Sequence, residues 1–178
     1  MKIKLKKNKG ILFWITGLSG VGKTSIAKKI HKEIIKNYGP TILFSGDDLR
    51  SIFQIKTYDK KNRYKLAKQY SSFCKSIVDQ NINVIFATIS LFHDIQKDNQ
   101  KKIDNYVEIF IKSDFKKVSK LSKKKIYLNL NEEKNIWGKN LKPEFPKKPN
   151  IVIMNNFNEN LILLSNRILS KIQKAIKF

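Results

Sequence analysis

The sequence has few of the residues that stabilise secreted or membrane proteins. It contains a single cysteine, Cys74, so no internal disulfide is possible and a cysteine-based metal site would lack a second thiol. No apolar stretch approaches the ~20 residues that span a bilayer. The basic start of the chain leads into an apolar strand rather than into a cleavable apolar segment. We therefore expect a cytoplasmic protein with no membrane association, in which Cys74 packs as a small hydrophobic residue.

Acidic residues are scarce as well, with 14 against 37 basic residues and a net charge of +23. A positive field of this size attracts polyanions in general. The charge is spread along the whole chain, however, and no basic block carries the interleaved aromatic residues that stack on nucleic-acid bases. We therefore expect the partner to be a small anionic molecule and predict no dedicated role in nucleic-acid binding.

Arginine is the rarest of the basic residues, since all but Arg50, Arg63 and Arg167 are lysine. The planar guanidinium group donates two parallel hydrogen bonds to a phosphate or sulfate, which an ammonium group cannot do. Arg50 and Arg63 are therefore candidates for binding an anionic substrate. Arg167 lies in an amphipathic segment near the end of the chain, where we expect it on a solvated face.

A glycine-rich motif of the form G-x-x-x-x-G-K-[ST] follows an apolar run and precedes a helical pattern. It comprises Gly17, Leu18, Ser19, Gly20, Val21, Gly22, Lys23 and Thr24, and Ser25 comes next. Between a buried strand and a helix N-terminus, such a loop binds the phosphates of a nucleoside triphosphate, here ATP. We predict that Lys23 contacts the β- and γ-phosphates and takes part in catalysis, and that the Thr24 hydroxyl binds Mg²⁺. A chance glycine-rich turn is the alternative, but both flanking elements argue against it.

Short apolar runs alternate with helical patterns along the chain, which is typical of a parallel β-sheet covered on both sides. At 178 residues and 41% hydrophobic content, the chain suits one domain with one core. We predict an α/β fold, a doubly wound parallel sheet of about five strands with helices on both faces, as a single P-loop NTPase/kinase domain over residues 1–178. The predicted strands are 11–16, 41–45, 83–89, 107–111 and 151–154, and the predicted helices are 23–36, 60–79, a short one near 95–101, 115–122 and 161–176.

The stretch from about residue 121 to residue 148 is rich in lysine, asparagine and proline and has weak periodicity. In doubly wound nucleotide kinases, a stretch at this place forms a lid that closes over the phosphates and excludes water. An ordinary surface loop is the alternative, although long loops without a function are uncommon in compact domains. We predict a lid.

Two carboxylates follow the second predicted strand, in the segment Ser45-Gly46-Asp47-Asp48-Leu49-Arg50. Sites in open α/β sheets gather at the carboxyl ends of the strands, so we expect this segment opposite the phosphate loop. Phosphoryl transfer to an alcohol needs a carboxylate near the attacking oxygen or the metal and a cation that anchors the acceptor. We predict that one of the two aspartates caps the short helix that follows and that Asp47 is catalytic. Ser90, at the end of the third predicted strand, is placed to face the acceptor.

Four segments resemble, in order and spacing, the adenylylsulfate (APS) kinases. They are residues 9–24, 45–50, 84–90 and 108–111, and the resemblance extends from about residue 9 to residue 153. Gly-Leu-Ser-Gly in the phosphate loop together with Gly-Asp-Asp-Leu-Arg is much more specific than a phosphate loop alone. The resemblance implies a kinase that moves the γ-phosphate of ATP to the ribose 3′-hydroxyl of a nucleotide with a modified 5′ phosphate. It also favours a homodimer.

The resemblance assigns roles to residues around the acceptor. Asp47 matches the family's catalytic aspartate, Arg50 its substrate-binding arginine and Arg63 the arginine of an Asp-Arg pair. Tyr58 stands where the family has a phenylalanine that stacks on the substrate base. The acceptor-binding residues implied in this way are Asp47, Arg50, Tyr58, Arg63, Ile89, Ser90, Lys134, Ile136 and Trp137.

The departures from the family pattern cluster where the acceptor would bind. Ser45 replaces an aspartate, Leu66 an asparagine, and Ile136 the second phenylalanine that stacks on the base. A purine would lose one of its two aromatic faces, worth about 1–3 kcal/mol, unless Trp137 takes over that contact. The altered segments are more similar to kinases of cytidine diphosphoramidate, from bacterial capsule phosphoramidate synthesis. We therefore favour cytidine diphosphoramidate as the acceptor and keep APS as the alternative.

Two other classes of function stay open at this point. A sugar or shikimate kinase would share the phosphate loop and phosphorylate a non-nucleotide alcohol, but is not expected to share residues 46–50. A non-catalytic ATP-binding or nucleic-acid-binding module would bind ATP without turnover and would tolerate Asp47→Asn.

Overall fold

The computed structural model of the protein describes residues 3–121 and 135–177. Seven strands occur within these ranges: β1 (Ile3–Lys4), β2 (Leu12–Thr16), β3 (Thr41–Ser45), β4 (Asn83–Thr88), β5 (Tyr106–Lys112), β6 (Ile151–Met154) and β7 (Ile176–Lys177). Five of them form one sheet in the order β3-β4-β2-β5-β6, with every neighbouring pair parallel. Strands β2 and β4 are buried along their whole length, as expected for parallel strands that are covered on both faces.

Six helices lie within the same ranges: α1 (Lys23–Tyr38), α2 (Gly46–Ile52), α3 (Lys60–Val78), α4 (His93–Lys102), α5 (Phe115–Leu121) and α6 (Leu161–Ala175). Helices α1 and α6 contact each other, as do α3 and α4. Phe13 of β2 meets Tyr38 of α1 edge-on at 5.7 Å between ring centroids. The next residue, Trp14, stacks on Phe86, which in turn meets Tyr70 of α3 at 5.3 Å. Because successive strand residues point to opposite faces, the sheet has α1 on one face and α3 on the other, and the predicted fold class is confirmed.

The helices form where apolar residues recur with helical spacing. In α1, Ile26, Ile30 and Ile34 are separated by four residues each and are fully buried against the sheet. Cys74 occupies a similar position in α3, where burial raises the pKa of its thiol. The prediction that Cys74 packs as a hydrophobic residue is therefore confirmed. The helices within the described ranges are each too short or too polar to span a bilayer.

The predicted elements match the observed ones to within one or two residues for the five strands of the main sheet. Two features differ. Helix α4 begins at His93, earlier than predicted. Strands β1 and β7 form a separate parallel pair that joins the two ends of the described chain. Each has only two residues, which is too short for an alternating pattern to predict. Asn105 supports this pair, because its side chain accepts from the backbone N–H of Lys6 and donates to the Lys6 and Lys9 carbonyls.

Candidate functional site

The phosphate loop connects β2 to α1, and its three glycines, Gly17, Gly20 and Gly22, all have a positive φ that other residues rarely adopt. Gly17 has a φ of 151°, and a Cβ there would lie only 2.5 Å from the carbonyl oxygen of Ile111. Gly22 has a φ of 88° and is the N-cap of α1. Any side chain at these positions would strain the backbone, and at Gly17 it would also overlap β5. The loop conformation therefore favours glycine at all three positions, two of which, Gly17 and Gly22, are fixed by the motif.

The N-terminus of α1 is open to an anion. Among the described residues no side chain caps this helix end, and its first turn holds no acidic residue. The backbone N–H groups of the first helical turn and the positive end of the helix dipole therefore favour a phosphate here. Lys23 is buried, and its ammonium group donates to the Leu18 carbonyl oxygen at 2.6 Å. The other predicted ATP-binding residues form the same turn: Ser19 and Val21 are buried, Gly20 and Thr24 are half-buried, and Ser25 is exposed.

The two aspartates at the end of β3 have different surroundings. Helix α2 is capped by Ser45, whose Oγ accepts from the backbone N–H of Asp48 at 3.1 Å. The carboxylate of Asp48 in turn accepts from the backbone N–H of Ser45 at 2.8 Å, which completes a capping box. The prediction that an aspartate is the N-cap is therefore wrong: Ser45 is the cap, and Asp48 supports it from the third helical position. Asp47 lies outside this box, and its side chain is exposed.

Two arginines meet at the exposed ring of Tyr58. The guanidinium carbon of Arg50 lies 4.5 Å from the ring centroid, and that of Arg63 lies 5.7 Å from it. Arg50 also donates to the Thr57 carbonyl at 2.8 Å, and Arg63 to the Tyr58 carbonyl at 2.5 Å. Burial lowers the pKa of Arg63, and the positive charge of Arg50 lowers it further. Two like charges in such proximity favour the binding of an anion near them.

The end of β4 lies between the phosphate loop and α2, because β4 separates β2 from β3 in the sheet. The hydroxyl of Thr16, at the end of β2, donates to the Ile89 carbonyl at 3.3 Å. The hydroxyl of Ser90 is buried and lies 2.9 Å from that of Thr88. A Cβ at Gly46, the first residue of α2, would be 3.5 Å from the same Thr88 hydroxyl. Ile89 and Ser90 therefore lie between the predicted ATP-binding and acceptor-binding residues.

The segment from residue 135 to residue 141 packs against the site. Ile136 and Trp137 are buried, and the Trp137 ring meets Phe92 edge-on at 5.2 Å. At Gly138, a Cβ would lie 2.7 Å from the Phe115 ring and 3.4 Å from the Leu18 side chain of the phosphate loop. Trp137 is thus part of the core rather than an exposed stacking surface. Residues 122–134 of the predicted lid, including Lys134, lie outside the described residues, and the lid stays a prediction.

The sequence analysis missed a contact between the end of β6 and the phosphate loop. The side-chain amide of Asn155 donates to the Val21 carbonyl at 3.1 Å, and the backbone N–H of Asn155 donates to Lys112 at 2.9 Å. Asparagine is abundant in this chain, so Asn155 carried no distinguishing signal. Arg167 is half-exposed, as expected, and pairs with Glu159. Both border an open cleft of about 310 Å³, whose lining residues are Met154, Asn156, Asn158, Glu159 and Arg167.

The chain is similar to proteins of a known family. The family model described as adenylylsulphate kinase matches residues 9–154. The cytidine diphosphoramidate kinase of Campylobacter jejuni subsp. jejuni serotype O:2 is 34% identical over 157 residues, which cover 87% of this chain and 92% of that protein. The adenylyl-sulfate kinase of Pseudomonas aeruginosa is 28% identical over 174 residues, which cover 95% of this chain and 88% of that protein.

Solved structures give the same fold. The APS kinase of Mycobacterium tuberculosis, in complex with AMPPNP and APS, superposes with a TM-score of 0.81. The match covers 93% of this chain and 98% of that chain at 19% sequence identity. At such an identity the likeness establishes the fold alone.

Proposed function

The chain belongs to the adenylylsulphate kinase family, and we propose that it phosphorylates the ribose 3′-hydroxyl of cytidine diphosphoramidate at the expense of ATP. The family makes the chain an ATP-dependent phosphotransferase that acts on a nucleotide. The position of the hydroxyl, the base and the 5′ group are parts of the proposal. So is a place in the synthesis of a capsule phosphoramidate.

The donor side of the proposal is supported by the phosphate loop. The open N-terminus of α1 offers backbone N–H groups to the ATP phosphates, and Lys23 lies within the loop with its ammonium group on a backbone carbonyl. When ATP binds, this ammonium group exchanges the Leu18 carbonyl for phosphate oxygens, where it offsets the charge that develops on the γ-phosphate during transfer.

The residues present fit a magnesium ion bound mainly by phosphates. The Thr24 hydroxyl would be an oxygen ligand at the N-terminus of α1, and no group of three acidic, histidine or cysteine side chains that could hold a metal occurs in the described part of the chain. Mg²⁺ commonly keeps several waters and binds through one or two protein oxygens and the substrate phosphates. We propose that Thr24 holds the ion, which would neutralise charge on the phosphates.

The acceptor side is supported by the contrast between the two aspartates. Because Ser45 and Asp48 cap α2 between them, the Asp47 carboxylate lies outside the cap and is exposed at the carboxyl end of β3. A carboxylate there can accept the proton of the attacking hydroxyl. We assign Asp47 this role. Arg50 and Arg63 converge where an anionic 5′ group could bind, and we assign that group to them.

The base preference rests on the position of Trp137, and this observation carries the choice of acceptor. Tyr58 is 54% exposed and offers one aromatic face. Ile136 is aliphatic, and Trp137 is 4% exposed and packed edge-on against Phe92, so neither supplies a second face in this structure. A single face provides less stacking energy for a purine than two faces would. This favours a pyrimidine, in agreement with the base named in the Campylobacter relative.

APS is the second candidate acceptor. The identity of 28% to the adenylyl-sulfate kinase of Pseudomonas aeruginosa is only slightly lower than that to the Campylobacter protein, and the paired arginines suit a sulfate as well as a phosphate. A homodimer and a cytoplasmic location stay predictions.

Release of ADP with MgATP tests the proposal. The acceptors are cytidine diphosphoramidate, APS, a sugar alcohol and shikimate, with a reaction lacking any acceptor as the control. Turnover that requires cytidine diphosphoramidate supports the proposal. Turnover that requires APS supports the second candidate. Turnover with the sugar or shikimate alone, or with no added compound, contradicts a nucleotide 3′-kinase.

A further inference from the structure

The side chain of Tyr70 lies beside the start of α2, and its hydroxyl is unpaired among the described residues. Tyr70 lies in α3, and its side chain is 6% exposed. Its ring packs on Phe86 of β4 at 5.3 Å between centroids, and its Cε2 would lie 3.8 Å from a Cβ on Gly46. The hydroxyl is buried and has no hydrogen-bond partner among the described residues. A buried polar group without a partner is destabilising, so its presence needs an explanation.

The Tyr70 ring lies beside the start of α2, the helix that carries the predicted acceptor residues Asp47 and Arg50. Burial raises the pKa of Tyr70, the positive charge of Arg50 lowers it, and the negative charge of Asp47 raises it. Both charged residues belong to α2, whose first residue, Gly46, lies beside the Tyr70 ring. The other groups near the start of α2 are small: Gly46 has no side chain, and next to it lie Thr88 and the backbone of Ala87. A ligand could reach the ring at this point after a small shift of α2.

The residues one and two turns before Tyr70 on α3 do not offer a second hydroxyl. Leu66 lies one turn earlier on the same face and is apolar and buried. Arg63, two turns earlier, contacts the ring of Tyr58 and donates to the Tyr58 backbone carbonyl. The arginines suit the charged 5′ end of a nucleotide, whereas a neutral phenol suits an uncharged part, since it both donates and accepts a hydrogen bond.

We propose that Tyr70 is an acceptor-binding residue, whose hydroxyl forms a hydrogen bond with the base or ribose of the nucleotide once α2 has shifted. The inference rests on the proposed nucleotide acceptor. It adds a contact between α2 and β4, at a different place from the exposed Tyr58 ring. Loss of this contact weakens acceptor binding without affecting ATP.

The test is Tyr70→Phe, which keeps the ring on Phe86 and removes only the hydroxyl. The matched control is Tyr38→Phe at the opposite end of the sheet, where the ring meets Phe13. We expect Tyr70→Phe to raise the KM for the acceptor about three- to tenfold, the effect of one neutral hydrogen bond. The KM for ATP stays unchanged, and Tm is equal or higher because an unpaired polar atom has left the interior. Tyr38→Phe leaves the KM for the acceptor unchanged.

Salt separates this contact from a charge effect. Because the phenol is neutral, the ratio of acceptor KM values between Tyr70→Phe and the unaltered protein stays the same from about 50 to 300 mM salt, whereas ion pairs of the arginines weaken over this range. An unchanged acceptor KM in Tyr70→Phe overturns the inference while the proposed function stands. A fall in Tm together with a rise in the KM for ATP also overturns it, since Tyr70 would then be purely structural. Absence of turnover in the unaltered chain with every nucleotide overturns the proposed function and this inference with it.

Discussion

Replacing Asp47 with asparagine is expected to lower kcat by about 10²- to 10⁴-fold, the usual contribution of a positioned general base. The substitution keeps the size of the side chain and removes its negative charge. Because the capping box of α2 consists of Ser45 and Asp48, Asp47→Asn breaks neither of its hydrogen bonds. It does remove the attraction between a carboxylate and the N-terminus of α2, which is worth about 0.3–1 kcal/mol.

The neighbouring residue provides the matched control. Asp48→Ala removes the carboxylate that accepts from the Ser45 N–H at 2.8 Å and leaves Ser45 as the N-cap, and loss of one such hydrogen bond costs about 0.5–1.5 kcal/mol. For a chain of this size, each kcal/mol lowers Tm by about 2–4 °C. We therefore expect Asp48→Ala to lower Tm by a few degrees and to retain most of its turnover. Asp47→Asn therefore lowers kcat with little change in Tm, whereas Asp48→Ala lowers Tm with little change in kcat, although the two positions are adjacent.

The assay combines steady-state ADP release with thermal unfolding and a titration of ATP binding. The ATP affinity of Asp47→Asn should stay close to that of the unaltered protein, because Asp47 lies outside the phosphate loop. Near-normal turnover in Asp47→Asn would refute the catalytic assignment. If Asp48→Ala lost as much activity as Asp47→Asn at a temperature where it is folded, Asp48 would not be limited to capping α2. That result would contradict the assignment of catalysis to Asp47 alone.

Lys23→Ala should lower kcat by several orders of magnitude and weaken ATP binding as well, measured by the same titration. Gly17→Ala should abolish ATP binding and lower Tm, since its Cβ would lie 2.5 Å from the Ile111 carbonyl. Gly39→Ala is the control: it has nothing within 4 Å, so its backbone conformation, with φ 94° and ψ −166°, should cost about 1–3 kcal/mol and leave ATP affinity intact. Burial raises the pKa of Glu108 to about 7, whereas the pKa of a glutamate in the unfolded chain is about 4.3. The folded state therefore binds the proton of this carboxyl group more tightly than the unfolded state does. The stability that this proton contributes is present below about pH 4 and is lost as the pH rises through about 7. Thermal unfolding from about pH 5 to 8 should therefore show Glu108→Gln gaining stability relative to the unaltered protein as the pH rises, and parallel curves would contradict the shift.

The main sheet and its phosphate loop could be predicted because each signal is local. Five short apolar runs between turn residues marked the strands of the main sheet, and the loop motif placed Gly17 and Gly22 where positive φ is needed. The family resemblance found in these segments is confirmed. The features that were missed depend on contacts distant in sequence. Strands β1 and β7 pair residues from opposite ends of the chain, and Asn155 reaches Val21 across 134 positions.

The cap of α2 shows a different limit of sequence reasoning. Serine and aspartate are both good N-caps, and the segment from Ser45 to Asp48 contains three candidates, so propensity does not choose among them. The choice is made by where β3 ends, since Ser45 is still the last residue of that strand. Trp137 could not be placed from sequence either, because an aromatic residue after a long irregular stretch suits both a base-stacking role and the core position that it occupies against Phe92.

Phosphorus NMR of a competition reaction tests the central claim most directly. The unaltered protein is given MgATP with equal concentrations of cytidine diphosphoramidate and APS in one tube, and the new phosphate resonances are assigned by their coupling to ribose protons. We predict that a phosphomonoester coupled to the 3′ proton of the cytidine compound accumulates first. Preferential phosphorylation of APS would mean that the site binds a purine despite the buried Trp137. A phosphate at any position other than the ribose 3′-hydroxyl would contradict the proposed reaction itself.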